Sequence, residues 1–105
     1  MKTIVNTKKE LNLLLSTNKE EIKKYGVKKL GIFGSFVRDE ATEKSDIDFL
    51  IEFVPEYKTL KNFIGLTNFL SGLTGRKIEI VTPQSLNKFI GKYILSEVEY
   101  VSIAA

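Results

Sequence analysis

LGIFGSFVRDEATEKSDIDFLIEF, residues Leu30 to Phe53, decides the fold. It reads as an apolar strand, a tight glycine turn, a short helical segment, a polar loop and a second strand. Asp46 and Asp48 stand at the head of that second strand. Strand residues two apart point to the same face, roughly 7 Å apart. The two carboxylates therefore project side by side, and Ile47, Phe49, Ile51 and Phe53 form an apolar opposite face. Like charges that close call for a cation between them. Gly34 lets the backbone approach a ligand closely. Ser35 is placed to cap the segment that follows, or to turn its hydroxyl to an anion at free backbone N–H groups. An anion cradle and a carboxylate pair on neighbouring strands suggest a bridging metal ion, and carboxylates with phosphate oxygens together suit Mg²⁺.

Outward from this stretch, the rest supplies layers. Upstream, Thr7-Lys8-Lys9-Glu10 and Thr17-Asn18-Lys19-Glu20 both have capping-box form. They predict one kinked helix or two short ones, with Leu11, Leu14, Leu15 and Ile22 facing inward and Gly26 as the stop. Downstream, Pro55 ends the second strand. A helix is expected over 57–72, with Leu60, Phe63, Ile64, Leu66 and Leu70 near one stripe, and Gly72 and Gly75 in the turn after it. A third strand is expected over 77–81. Thr82 and Pro83 read as the start of a last helix interrupted at Gly91, and Val98 to Ile103 as apolar enough either to form a short last strand or to pack loosely. The expectation is a single domain over 1–105, of α/β (α+β two-layer) class, with a small mixed sheet of three to four strands and helices packed on one face. Glu79 alternates with Ile78 and Ile80, so a matching register brings it to the acidic face.

Composition narrows the chemistry. The chain has 105 residues, no cysteine and no histidine. Disulfides, thiolate catalysis, Cys/His zinc sites and Ser–His triads are thereby excluded. Any metal must be held by oxygen, and any proton carried by carboxylate, lysine, tyrosine or water. The net charge of +3 reads as a lysine-rich solvated surface with mild attraction for polyanions. Without a dense basic run carrying aromatics, direct nucleic-acid binding is not expected. No apolar run reaches the ~20 residues that cross a bilayer. A cytoplasmic location fits the absence of cysteine and of a signal-peptide core in MKTIVNTKKE.

Gly34-Ser35, ten residues, then Asp46-Ile47-Asp48 resembles the pattern of the minimal nucleotidyltransferase (MNT) family, in the DNA polymerase β-like nucleotidyltransferase superfamily. The resemblance spans nearly the whole chain and implies the nucleotidyltransferase fold. It implies that Asp46 and Asp48 bind the Mg²⁺ ions, two of them, that carry ATP, and that Gly34 and Ser35 hold the triphosphate. The family's third acid, usually Asp, matches Glu79, one methylene longer, as further metal ligand or base. Arg38 matches the family's arginine, as a structural or phosphate-side cation. Phe36-Val37 and Asp39 depart from the small residue and the glycine usual in that turn.

The resemblance further implies an antitoxin that transfers AMP from ATP to a tyrosine hydroxyl of a helical HEPN-type partner toxin, with which it forms a hetero-oligomer. A chain this size leaves no separate domain for a small-molecule acceptor, which disfavours an aminoglycoside-like substrate. Asp46 and Asp48 would then hold two metal ions, whose chemistry would be to activate the attacking hydroxyl and stabilise the leaving pyrophosphate. The alternative is a catalytically degenerate antitoxin that neutralises its partner by binding alone, with Glu79 as its best support. Plainer roles stand beside these. Asp48 pairs with Lys28 or Lys29, Glu79 and Glu52 are solvated strand residues, Ser35 is only a helix cap, and the tyrosines are core or rim aromatics.

Overall fold

The computed structural model describes residues 4–103; the expected domain bounds, 1–105, reach past them at both ends. The N-terminal region forms two helices, α1 (Lys8–Thr17) and α2 (Lys19–Lys23). Thr7 caps α1 as expected, its side chain accepting the Glu10 N–H at 3.1 Å. The second capping box does not form. The Thr17 hydroxyl turns back to the Leu13 carbonyl and the Asn18 amide to that of Leu14, both at 2.8 Å. Both side chains thus serve the end of α1 rather than the start of α2.

β1 (Val27–Phe33) and β2 (Ile47–Phe53) pair antiparallel, and β3 (Ile78–Val81) joins β2 in parallel. β4 (Glu99–Val101) adds to the outer side of β1, giving the sheet order β3-β2-β1-β4. β2 begins one residue later than expected, at Ile47, whose N–H donates to the Lys77 carbonyl at 3.0 Å.

The helix between β2 and β3, α3 (Leu60–Thr74), is shifted towards the C-terminus relative to the expected span. Pro55–Tyr57 closes into a separate 3-10 turn, and Thr59 caps α3 by accepting the Asn62 N–H at 3.1 Å. Gly72 stays within the helix; Gly75, at φ +72°, is the left-handed residue that ends it. Pro83–Ser85 is likewise only a 3-10 turn, so the last helix, α4 (Lys88–Glu97), starts later than Thr82 suggested. Its cap is Asn87, which accepts the N–H groups of Phe89 and Ile90. Gly91 does not interrupt it; it sits buried against Leu86.

The alternation in β1 and β2 sorts the core. Leu30, Ile32, Ile47, Phe49, Ile51 and Phe53 share one face of the sheet and pack with Leu11 and Leu15 of α1, Ile22 of α2, and Leu66 and Leu70 of α3. Each such side chain contributes about 1.5–3 kcal/mol on burial. The other face is only partly covered. Ile94 of α4 packs there with Phe33 and Leu50, joined by Val81, Leu86 and Val98. Three helices therefore lie together on one face, as expected, and the fourth lies over part of the other. What α4 leaves open on that face is where Asp48 and Glu79 stand. No helix among the described residues is long and apolar enough to cross a membrane.

Candidate functional site

Asp48 is the second residue of β2 and lies between Phe33 of β1 and Glu79 of β3 in the ladder. Facing residues on adjacent strands share a side, and the strands run about 4.8 Å apart. The register sought for Glu79 is thus realised. Asp46 is half-buried in the residue pair that leads into β2. Asp48 is half-buried too, and its carboxyl is pushed up to about 6. Burial is the main cause, followed by the charges of Glu79 and Asp46; Arg38 pulls the other way. Both neighbouring acids thus act on the Asp48 carboxyl. Neither Lys28 nor Lys29 relieves them: Lys28 pairs with Glu52 at 3.9 Å, and the Lys29 ammonium lies 5.4 Å from the centre of the Tyr100 ring.

Gly34 follows β1 and opens a 3-10 turn, Gly34–Phe36. Its φ is +78°, and a Cβ built there would run into the Asp48 carboxylate oxygen Oδ2. Only glycine lets the turn lie against that acid. Gly34→Ala incurs the left-handed penalty of ~1–2 kcal/mol before the clash is counted. The expected result is a fall of several degrees in melting temperature and at least about tenfold weaker ATP binding. Thermal unfolding and an ATP titration check the two parts.

Ser35 is half-buried in the turn and does not cap it. Its carbonyl accepts the Glu40 N–H at 2.9 Å. Asp39 closes the turn at φ +60°, a conformation that aspartate tolerates better than most residues. Arg38 is an exposed cation on the rim. It donates through Nε to Glu40 at 2.8 Å and through Nη1 to Glu97 at 3.0 Å, and these bonds, Glu40 first, raise its pKa further.

Two residues escaped the sequence reading. Glu97, the last residue of α4, also accepts the Gly34 N–H at 2.9 Å. Arg76 is buried just ahead of β3. Its Nη1 reaches the carbonyls of Thr42 and Ser45 at 2.8 Å each, its Nη2 reaches Asn6, its Nε reaches the Val5 carbonyl, and its guanidinium lies 5.0 Å from the centre of the Phe36 ring. It fastens the loop that delivers Asp46.

Asp46, Asp48 and Glu79 are hard oxygen donors of the kind Mg²⁺ takes. Among the described residues, however, no three carboxylates gather into a ready cage. The arrangement fits an ion held by one or two carboxylates and completed by phosphate oxygens, the usual mode for Mg²⁺ with nucleotides. It does not fit a closed, protein-only site.

Residues 14–101 match the model of the nucleotidyltransferase domain family. Protein adenylyltransferase MntA of Thermococcus cleftensis is 41% identical over 96 residues, which are 90% of this chain and 96% of that protein. A Methanocaldococcus jannaschii relative, provisionally named a protein adenylyltransferase, is 43% identical over 103 residues, covering 96% of this chain and 100% of that one. A solved structure described as a candidate minimal nucleotidyltransferase superposes with a TM-score of 0.69 at 30% identity, over 84% of this chain and 93% of that one. A toxin-antitoxin crystal structure with AMP-PNP shares the fold at a TM-score of 0.61 and 18% identity, over 81% of this chain and 73% of that one.

Proposed function

Since the chain belongs to the minimal nucleotidyltransferase family and is a nucleotidyltransferase, we propose that it transfers AMP from ATP to a hydroxyl of a partner protein. The observation that carries this reading is the registered placement of Asp48 beside Glu79, with the Gly34 turn lying against the Asp48 carboxylate. The names of the relatives support protein as the acceptor class.

In this reading Gly34, Ser35 and Arg38 hold the triphosphate, with Arg38 as the cation on the phosphate side. Asp46 and Asp48 hold Mg²⁺, two ions in the full complex, with Glu79 as an outer ligand or proton acceptor. Bound metal would neutralise phosphate charge and ease departure of pyrophosphate. The attacking hydroxyl oxygen forms a bond to the α-phosphorus as the bond to the β-phosphate oxygen breaks. Glu79, exposed at the sheet edge, is reachable by a proton from that hydroxyl. The acceptor is a tyrosine of a helical HEPN-type toxin, as the family resemblance implies. The pair forms a hetero-oligomer in the cytoplasm, with residues 1–105 acting as one domain.

A second reading is an antitoxin that acts by binding alone. Glutamate at position 79, where the family usually has aspartate, favours it.

Incubation with ATP labelled on the α-phosphate, Mg²⁺ and the purified product of the neighbouring gene tests both. The expected result is a labelled protein band, absent with label on the γ-phosphate and absent in Asp46→Asn. A stable complex without label in either protein would instead establish the binding reading.

A further inference from the structure

Glu97 makes an unusual set of contacts for a residue at the end of a helix. Its Oε1 accepts the Gly34 N–H at 2.9 Å and Arg38 Nη1 at 3.1 Å, and its Oε2 accepts the same Nη1 at 3.0 Å. Its side chain is only 16% exposed, against 40% for that of Arg38. One carboxylate thus occupies a backbone donor and a guanidinium that the functional reading assigns to phosphate. It does so on the sheet face that already carries Asp48 and Glu79, so an acid is added where acids repel. The two donors explain why it stays: charge-assisted hydrogen bonds are the strong ones.

We propose that Glu97 is an internal competitor for the phosphate site. Its carboxylate holds the Gly34 N–H and Arg38 while nucleotide is absent, and a phosphate oxygen of the incoming triphosphate takes over both donors. The inference rests on the assignment of the Gly34–Arg38 turn to phosphate and adds the residue that sets how tightly phosphate is held. Glu97 can leave without unwinding the helix. It is the last residue of α4, and Val98 after it is already extended, at φ −61° and ψ 136°. Arg38 keeps its second partner, Glu40, at 2.8 Å, and so stays oriented during the exchange. A triphosphate carries enough negative charge to win the donors; a weaker monoanion must meet Glu97 on nearly equal terms. The device therefore selects for highly charged phosphate chains.

The test is the dissociation constant of ATP, measured calorimetrically in Mg²⁺ buffer, for the wild type and for Glu97→Gln, Glu97→Ala and Arg38→Ala. Glu97→Gln keeps the shape and removes the charge, so it guards against a folding failure of the alanine variant; melting temperature is recorded for all. Removal of the competitor is expected to tighten ATP binding about tenfold, ~1.4 kcal/mol, and to raise the affinity for inorganic phosphate by a larger factor. Binding that is unchanged or weaker in both Glu97 variants overturns the proposal and makes Glu97 a tether of α4. The assignment beneath it is read separately. If Arg38→Ala binds ATP like the wild type, the phosphate assignment falls and the proposal with it. If Arg38→Ala binds weakly and neither Glu97 variant binds tightly, the assignment stands and the proposal alone falls.

Discussion

Asp48→Asn is expected to make the metal-free protein more stable while removing its nucleotidyl transfer. The carboxyl of Asp48 is raised from 3.8 to about 6, chiefly by burial and then by Glu79 and Asp46. A group raised in the folded state adds stability only where it is protonated. Its contribution is complete below 3.8 and lost as pH climbs through about 6. The wild type should therefore weaken between those values, and the asparagine variant should not. A shift of about two units corresponds to ~3 kcal/mol at 1.36 kcal/mol per unit. Asp48 is half-exposed, and solvent screening reduces this to about 1–2 kcal/mol. At pH 8 in EDTA the variant should melt ~5–10 °C higher, and at pH 4 the two should coincide. Transfer should fall by ~10³-fold, the loss of several kcal/mol of charge stabilisation. Parallel melts at the two pH values, with a label-transfer assay, check both halves. A variant that is less stable at pH 8 would show that Asp48 is not under repulsion.

The second large effect belongs to Arg76. Arg76→Met keeps most of the volume and removes the guanidinium's bonds to the carbonyls of Val5, Thr42, Glu43 and Ser45 and to the Asn6 side chain; the Thr42 carbonyl keeps the Ser45 N–H, at 3.1 Å. The arginine is 6% exposed. Oxygens left unpaired in such a place cost ~1–3 kcal/mol apiece where water does not reach them. A net loss of at least ~3 kcal/mol is expected, with a fall in melting temperature beyond about 10 °C. Arg76→Lys should recover little, because a single ammonium cannot span carbonyls that a planar fork reaches together. Urea unfolding measures the stability. An ATP titration at low temperature should show weaker binding in the folded fraction, since the loop ending at Ser45 is what sets Asp46. A variant within ~1 kcal/mol of the wild type would mean that water replaces the guanidinium.

These two residues mark how far the sequence could be read. Asp48 was legible because strand alternation and the glycine turn are local signals. Ile47 to Phe53 could be sorted onto two faces by parity alone, and Glu79 followed from the same parity once β3 was placed. Arg76 and Glu97 were not legible. Their partners lie 71 and 63 residues away in the chain, Val5 and Gly34 respectively, and no local pattern announces such contacts. Helix starts were misplaced for a related reason. Tyr57 follows Pro55 by two residues and Thr82 precedes Pro83, and the residues there close into 3-10 turns, while Thr59 and Asn87 supply the working caps. The coverage of the sheet's second face by α4 depends on the path of the chain after β3, which periodicity within α4 does not encode.

The two inner strands of this sheet have seven residues each, whereas its borders, β3 and β4, have four and three. A border strand offers unpaired backbone to any other strand it meets, and short length and charge are the usual protection. In β3 that charge is Glu79, set among Ile78, Ile80 and Val81. In β4 it is Glu99, tied to Lys8 at 3.1 Å. The acid assigned to the reaction thus also keeps a run of β-branched residues from templating growth between molecules. An apolar residue in place of Glu79 would therefore bare that run as well as take away the acid.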